Sequence, residues 1–237
     1  MNLEATFLKS KKRLNLIYKT YRKLEAHFGK QNWWPGETPF EIIVGAILTQ
    51  QTTWKNVEKA ITALKKEGYL NEFALWTLPT DILENIIKVT GFYKVKARRL
   101  RNFLYFYREE FNFDMRKMSS LETFTLREKL LNVNGIGKET ADSILLYALN
   151  KPIFVVDSYT RRFLKRYALI DKDLDYDEMR EMFEEALKGE SMEETISNYK
   201  EMHALMVELG KNFCKTKPLC RDCPLMNECE KVGVYRI

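Results

Sequence analysis

Apolar residues recur along this chain mostly at three- and four-residue intervals, the period of an amphipathic helix, and hardly anywhere in strict alternation. Leu14, Ile17, Tyr18, Tyr21 and Leu24 mark one face of a helix over residues 3–28. Proline breaks the next segment twice, so Gln31 to Pro39 reads as a loop. Phe40 to Gln50 is nearly all apolar but far short of a membrane span, which predicts a helix buried in protein. Gln51, Thr52 and Thr53 interrupt it, and Thr53 is placed to cap a helix from Trp54 to about Lys66. Thr80 or Asp81 caps another, ending at Gly91. Lys94 to Glu110 follows as a strongly basic amphipathic helix, with Lys94, Lys96, Arg98, Arg99 and Arg101 crowded at its start. Helical patterns resume at 126–149 and at about 158–167, 175–188 and 192–212. Ile153 to Val156 is a short apolar run, too isolated to define a strand. The pattern predicts an all-α protein of about ten helices, without internal repeats or low-complexity linkers.

The most informative stretch runs from Leu131 to Asp142 around Gly135-Ile136-Gly137, with Val155, Val156 and Asp157 following shortly after. Thr125 to Glu128 reads as a capping box for the helix before the glycines. Lys138 opens the helix after them, with Ala141, Ile144, Leu145 and Ala148 on one face. Two helices joined by a tight Gly-x-Gly turn can point bare backbone N–H groups at a phosphate. Taken alone, the stretch also fits an ordinary helical hairpin that needs glycine only to turn.

Composition narrows the field. The chain of 237 residues carries a formal charge of +6 and a pI near 9.0, which suits a polyanionic partner. No apolar run approaches the roughly 20 residues that span a bilayer. The N-terminal charges follow a short apolar piece, unlike a secretory signal, so a cytoplasmic protein is expected. All four cysteines, Cys214, Cys220, Cys223 and Cys229, lie near the C-terminus in a C-x5-C-x2-C-x5-C spacing. Clustered thiols in a cytosolic chain point to a metal centre rather than a disulfide scaffold. Four thiolates can hold Zn²⁺ or a [4Fe–4S] cluster; with only one Cys-x2-Cys pair, the spacing favours the iron–sulfur cluster over a zinc ribbon. Lys211, Lys215, Lys217 and Arg221 would make that loop a phosphate contact.

The glycine hairpin, Val155-Val156-Asp157 and the four cysteines together resemble the endonuclease III-type DNA glycosylases of the helix–hairpin–helix superfamily. Ile47 to Thr53 and Gly91 to Leu100 agree with it, and the resemblance covers roughly residues 30–230. It implies two helical lobes with a cleft between them: a six-helix lobe over 32–150 ending in the hairpin at 126–149, and a second lobe from 1–31 plus 151–237 with a [4Fe–4S] loop at 214–229. It also implies a monomer acting on duplex DNA that contains a damaged base, in the cytoplasm at the nucleoid. Asp157 matches the family's catalytic aspartate, and Val-Asp-Ser equally fits a plain helix N-cap. Gly135, Gly137, Lys138, Lys94, Lys96, Gln50 and Gln51 would contact DNA. Gln50 or Gln51 would fill the gap left by a flipped base, Gln51 matching the family position better.

Members of the family that also cut the backbone carry a lysine two residues after the second hairpin glycine, and here that position is Glu139. Lys138 is one residue, hence about 100° of helix rotation, away. The resemblance therefore implies a monofunctional glycosylase in which Asp157 works on water. Trp33, Trp34, Trp54 and Glu139 resemble the base pocket of the 3-methyladenine branch. Indole faces and a carboxylate suit a cationic alkylated purine, whose glycosidic bond is already weakened. The competing readings are an endonuclease III-like glycosylase and lyase for oxidised or deaminated bases, and a DNA-binding iron–sulfur protein without catalysis. His27 and His203 carry no assignment.

Overall fold

A computed structural model describes residues 3–33, 36–170 and 174–234, with residues 3–10 as helix backbone alone. Its described residues contain twelve α-helices and no strand. In chain order these are α1 (Leu3–Phe28), α2 (Pro39–Leu48), α3 (Trp54–Lys66), α4 (Glu72–Thr77), α5 (Thr80–Ile86), α6 (Tyr93–Phe111), α7 (Met115–Ser120), α8 (Thr123–Leu131), α9 (Lys138–Ser143), α10 (Ser158–Arg166), α11 (Tyr176–Leu187) and α12 (Met192–Asn212). None of the described helices is long and apolar enough to cross a membrane. The chain divides into two compact units, Met1–Trp33 with Pro152–Ile237, and Trp34–Lys151.

In the unit Trp34–Lys151, α2 is the buried spine. Thr38 caps it, its side chain accepting from Glu41 N at 3.1 Å, and Pro39 enters at the first turn. Ile43, Ile47 and Leu48 are fully buried, as are Leu64, Leu100 and Leu145 on the neighbouring elements that pack against α2. α9 does not continue as a regular α-helix: it widens into a π-helical turn over Ile144–Ala148. Every residue from Thr140 to Leu149 is buried, so this segment has no polar face, unlike the amphipathic helix its spacing predicts.

The caps also differ from those read in the sequence. α8 starts before Thr125, and its cap is Glu122, whose carboxylate accepts from Thr125 N at 2.9 Å. Thr53 precedes α3 without a side-chain cap bond, and Pro79 precedes α5. Thr53 does take the N-cap position of α3, whereas at α5 and α8 the capping backbone geometry is adopted one to three residues before the residue expected to cap.

The two hairpin helices are joined by a buried ion pair. Arg127 of α8 donates from Nε at 2.6 Å and Nη2 at 3.0 Å to the two carboxylate oxygens of Asp142 on α9. The Asp142 side chain is wholly buried and that of Arg127 is 9% exposed.

In the unit Met1–Trp33 with Pro152–Ile237, α1 packs Ile17, Tyr21 and Leu24 against α11 and α12. Tyr18 of the predicted face is instead exposed. Ile153 to Val156 is extended and buried but pairs with no strand. Side chains satisfy its amides: Phe154 N donates to Glu184 Oε1 at 2.9 Å, and Val156 N to the Tyr176 hydroxyl at 3.2 Å. Phe154 stacks on Phe183 with ring centroids 4.4 Å apart. This anchored segment delivers Asp157 to the start of α10.

Replacing Arg127 with Met leaves the Asp142 carboxylate buried without its ionic partner. Urea denaturation is expected to show a loss of about 3–5 kcal/mol, the range for a broken buried pair.

Candidate active site

The glycine turn of the unit Trp34–Lys151 is held from several sides. Gly135 has φ +97°, and a Cβ there would lie 2.3 Å from Arg99 Cγ, so both backbone and packing require glycine. Gly137 is the N-cap of α9, and a Cβ there would meet nothing within 4 Å. Internal packing therefore does not require glycine at this position. Gln50 Nε2 donates to Gly135 O at 3.1 Å and to Thr140 Oγ1 at 2.9 Å, while its Oε1 accepts from the Arg99 guanidinium. Asn102 Nδ2 donates to Asn134 O at 2.9 Å. Gln50, expected to touch DNA, is thus committed to holding the hairpin. Gln51 is exposed and sits in the left-handed region at φ +54°. Lys138 is half-buried and Glu139 exposed on the first turn of α9.

Much of the basic start of α6 turns inward. Lys96 is 1% exposed and donates from Nζ to Thr90 O at 2.7 Å; burial, with Arg99 nearby, brings its ammonium down to about 8. Arg101 donates to the carbonyl oxygens of Leu75, Trp76 and Leu78, the open C-terminal end of α4. Lys96 is therefore a structural cation and not a surface contact. Lys94 and Arg98 remain exposed. Beside them stands a residue that the sequence pattern did not single out, Phe92, 66% exposed at φ +46° directly after Gly91 at φ +66°.

Trp54 is half-buried and lies over Gly45 of α2, its ring edge 3.5 Å from where a Gly45 Cβ would be. It lines a cavity of about 370 Å³ with Glu37, Glu41, Glu58 and Lys65. Lys65 Nζ pairs with Glu37 at 2.9 Å and Glu41 at 3.0 Å, so the lining still carries a carboxylate excess.

In the other unit, α12 organises a second cluster. The Glu201 carboxylate accepts from Gln31 N at 2.6 Å and Asn32 N at 3.3 Å, which fixes the backbone before Trp33. The half-buried Trp33 ring lies 5.7 Å from that of His203, and Lys211 Nζ is 5.9 Å from its centroid. Trp34 falls outside the described residues. Asp157 is the N-cap of α10 and is 8% exposed. Its Oδ1 accepts from Thr160 N at 2.7 Å and Thr160 Oγ1 at 2.8 Å. Its Oδ2 lies 3.7 Å from His203 Nε2. Burial pushes the carboxyl up, but the His203 imidazole and the Thr160 donors outweigh it and hold Asp157 below the usual carboxylate range. Such a group is an anion with one oxygen engaged and one available to orient water or face a developing cation. The N-cap bonds use one oxygen of this side chain and leave the other outside them.

The four cysteines line one pocket with Arg166, Phe213 and Pro218. Arg166 Nη1 donates to Cys214 Sγ at 3.3 Å, and Arg162 Nε to Cys214 O at 2.6 Å. Lys231 N donates to Cys229 Sγ at 3.4 Å. Burial pushes the Cys223 thiol up to about 11, with the other three cysteines adding to it. Among the described residues no group of three or more His, Cys, Asp or Glu is gathered tightly round a single-ion position. The donor set of four thiols sharing one pocket, with N–H groups on two sulfurs, nevertheless fits a thiolate-ligated cluster.

Residues 44–188 match the HhH-GPD superfamily of base excision DNA repair proteins, and the chain belongs to that superfamily. Among its relatives, the Methanocaldococcus jannaschii protein named "Putative DNA repair glycosylase MJ1434" is 46% identical over 218 residues, 92% of this chain and 97% of that one. Endonuclease III of Thermotoga maritima is 31% identical over 193 residues, covering 81% and 83% of the two chains. Of solved structures, the Helicobacter pylori 3-methyladenine DNA glycosylase MagIII bound to 1,N6-ethenoadenine is similar with a TM-score of 0.71. It is 28% identical and covers 82% of this chain and 97% of its own. This chain is thus a DNA glycosylase of base excision repair.

Gly135→Ala is expected to cost about 1–3 kcal/mol in urea denaturation, because alanine is strained at that backbone conformation and collides with Arg99. Gly137→Ala, with an extended backbone and open space, is expected to fall within about 0.5 kcal/mol of the wild type.

Proposed function

We propose that this protein is a monofunctional glycosylase that binds duplex DNA as a monomer, flips out a damaged purine and releases it with water as nucleophile. The observation that carries the reading is Asp157, a buried carboxylate held ionised with one oxygen left for chemistry. That oxygen orients or deprotonates the attacking water and stabilises positive charge on the sugar as the glycosidic bond breaks. Glu139 stands where the backbone-cutting relatives carry their lysine, so no amine is supplied there for a Schiff base. Lys138 is one residue, about 100°, round the helix.

The alkylated-purine reading is supported by the surroundings of Trp54. An indole face beside Glu37, Glu41 and Glu58 attracts a cationic ring more than a neutral one. In the same unit, Glu139 adds a carboxylate at the hairpin. The relative MagIII, a 3-methyladenine glycosylase seen with an ethenoadenine base, points the same way. DNA is gripped through the Gly137 and Lys138 backbone and through Lys94 and Arg98. Gln51 and Phe92, both on left-handed corners, are shaped to fill the gap in the stack; an exposed aromatic wedge can pry adjacent bases apart. Cys214, Cys220, Cys223 and Cys229 would hold a [4Fe–4S] cluster, which when bound supplies a rigid cross-link for the C-terminal loop. Arg162 and Arg166 of α10 fasten that loop to the helix that Asp157 caps.

Base release from duplexes carrying alkylated purine, ethenoadenine, oxidised pyrimidine or uracil tests the reading. Alkylated purine or ethenoadenine should be released, Asp157→Asn should lose roughly a hundredfold or more of the rate, and borohydride should trap no protein–DNA adduct. A trapped adduct would establish the lyase reading. Release confined to oxidised pyrimidine would establish an endonuclease III-like specificity, and no release from any duplex would leave a binding protein.

Iron analysis of anaerobically purified protein should give about four irons per chain. Cys223→Ser should lose most of that iron together with the visible absorption.

A further inference from the structure

Oδ1 of Asp157 is fully engaged by Thr160, and the side chain that faces the remaining oxygen is His203 on α12, with Nε2 3.7 Å from Oδ2. Both side chains are nearly enclosed, at 11% and 5% exposure. The imidazole is confined between aromatic neighbours, Trp33 at 5.7 Å and Phe154 at 6.5 Å between ring centroids. Both neighbours are themselves anchored, Trp33 behind the Glu201 bonds to Gln31 and Asn32, and Phe154 by its bond to Glu184. Four elements thus converge to fix one imidazole against one carboxylate oxygen. A ring needed only to fill space would be served there by another aromatic residue.

We propose that His203 is a positioning residue for the glycosylase reaction, its Nε2 fixing the orientation and charge of Asp157 Oδ2. The inference rests on Asp157 carrying the reaction proposed above. The present separation is longer than a hydrogen bond and closes to one by a side-chain movement of under about 1 Å, as donor distances at catalytic sites commonly tighten when substrate binds. Without His203, the carboxylate keeps only the Thr160 bonds, both on the other oxygen. Burial then acts on Oδ2 unopposed. The other charged and titratable groups around the pair have their own bonds. Lys211 lies over Trp33, Glu201 holds the Gln31 and Asn32 amides, the Tyr176 hydroxyl takes Val156 N, and Arg161 stacks on Tyr176.

The test compares His203→Phe, which keeps an aromatic ring, with His203→Gln, which keeps an N–H donor. Asp157→Asn serves as reference. Single-turnover base release from an ethenoadenine duplex and from a 7-methylguanine duplex is followed across pH, with duplex affinity and thermal melting measured alongside. The Phe variant is expected to lose roughly tenfold or more in the release step while duplex affinity stays within about threefold. Its acid limb should move to higher pH by about one unit or more, because the carboxylate has lost the neighbour that favours its anion. The Gln variant should recover most of the rate. If the Phe variant fails to fold, Gln carries the test against an Ala variant by the same measures. A Phe or Ala variant with wild-type rate and acid limb overturns the positioning role while Asp157→Asn is inactive. Wild-type release by Asp157→Asn, or no release by the wild type from either duplex, overturns the reading beneath it.

Discussion

A carboxylate whose surroundings favour the anion although it is almost wholly buried sets the terms for the unit that contains it. Taking such an ion out of water costs several kcal/mol unless donors replace the water. Here the first turn of α10 supplies the Thr160 donors, and α12 brings the His203 imidazole to 3.7 Å from the other oxygen. The helix N-terminus adds its own favourable potential for an anion. To bring the carboxylate there, the chain from Ile153 to Val156 runs buried and extended, its amides satisfied by Glu184 and Tyr176 rather than by a sheet. To keep the imidazole in place, Glu201 pins the segment ahead of Trp33. α11 and α12 thereby brace a single side chain.

The other unit is built round a turn whose backbone is bare on the outside at Gly137. Gly137 keeps that face open, while Gly135 lets Arg99 lie against the turn from within. Ile136 anchors the turn from inside, and side chains from the corner after α2 and from α6 hold its backbone. Gln50 binds the turn and α9 together, Arg99 binds Gln50, and Asn102 takes the Asn134 carbonyl. The buried Arg127–Asp142 pair fixes the two helices on either side.

Cations in this protein are spent on structure as well as on surface charge. The net +6 suggests a polyanion-binding surface, yet Lys96, Arg101 and Lys151 each reach backbone carbonyls, and Arg127 is buried against Asp142. Helix ends expose carbonyl oxygens that need donors, and long basic side chains can reach them. A count of basic residues therefore overstates the charge available to DNA.

The sequence by itself determined the all-α class, the positions of the main helices, the glycine turn, the family and the likeness of Asp157 to its aspartate, because periodicity and short motifs are local. It placed α10, α11 and α12 within a residue or two, since each has a clear apolar face and a capping residue at its start. The tertiary structure alone decided which chemical groups serve which task. Gln50 and Gln51 are identical neighbours, yet one is locked to the hairpin and the other exposed. Lys94 and Lys96 belong to one basic run, yet one faces solvent and the other is buried. His203 lies 46 residues from Asp157 along the chain and meets it only because α12 packs on α10. Pairings of that kind depend on rotation about a helix axis and on contacts between distant segments, and neither leaves a local pattern to read.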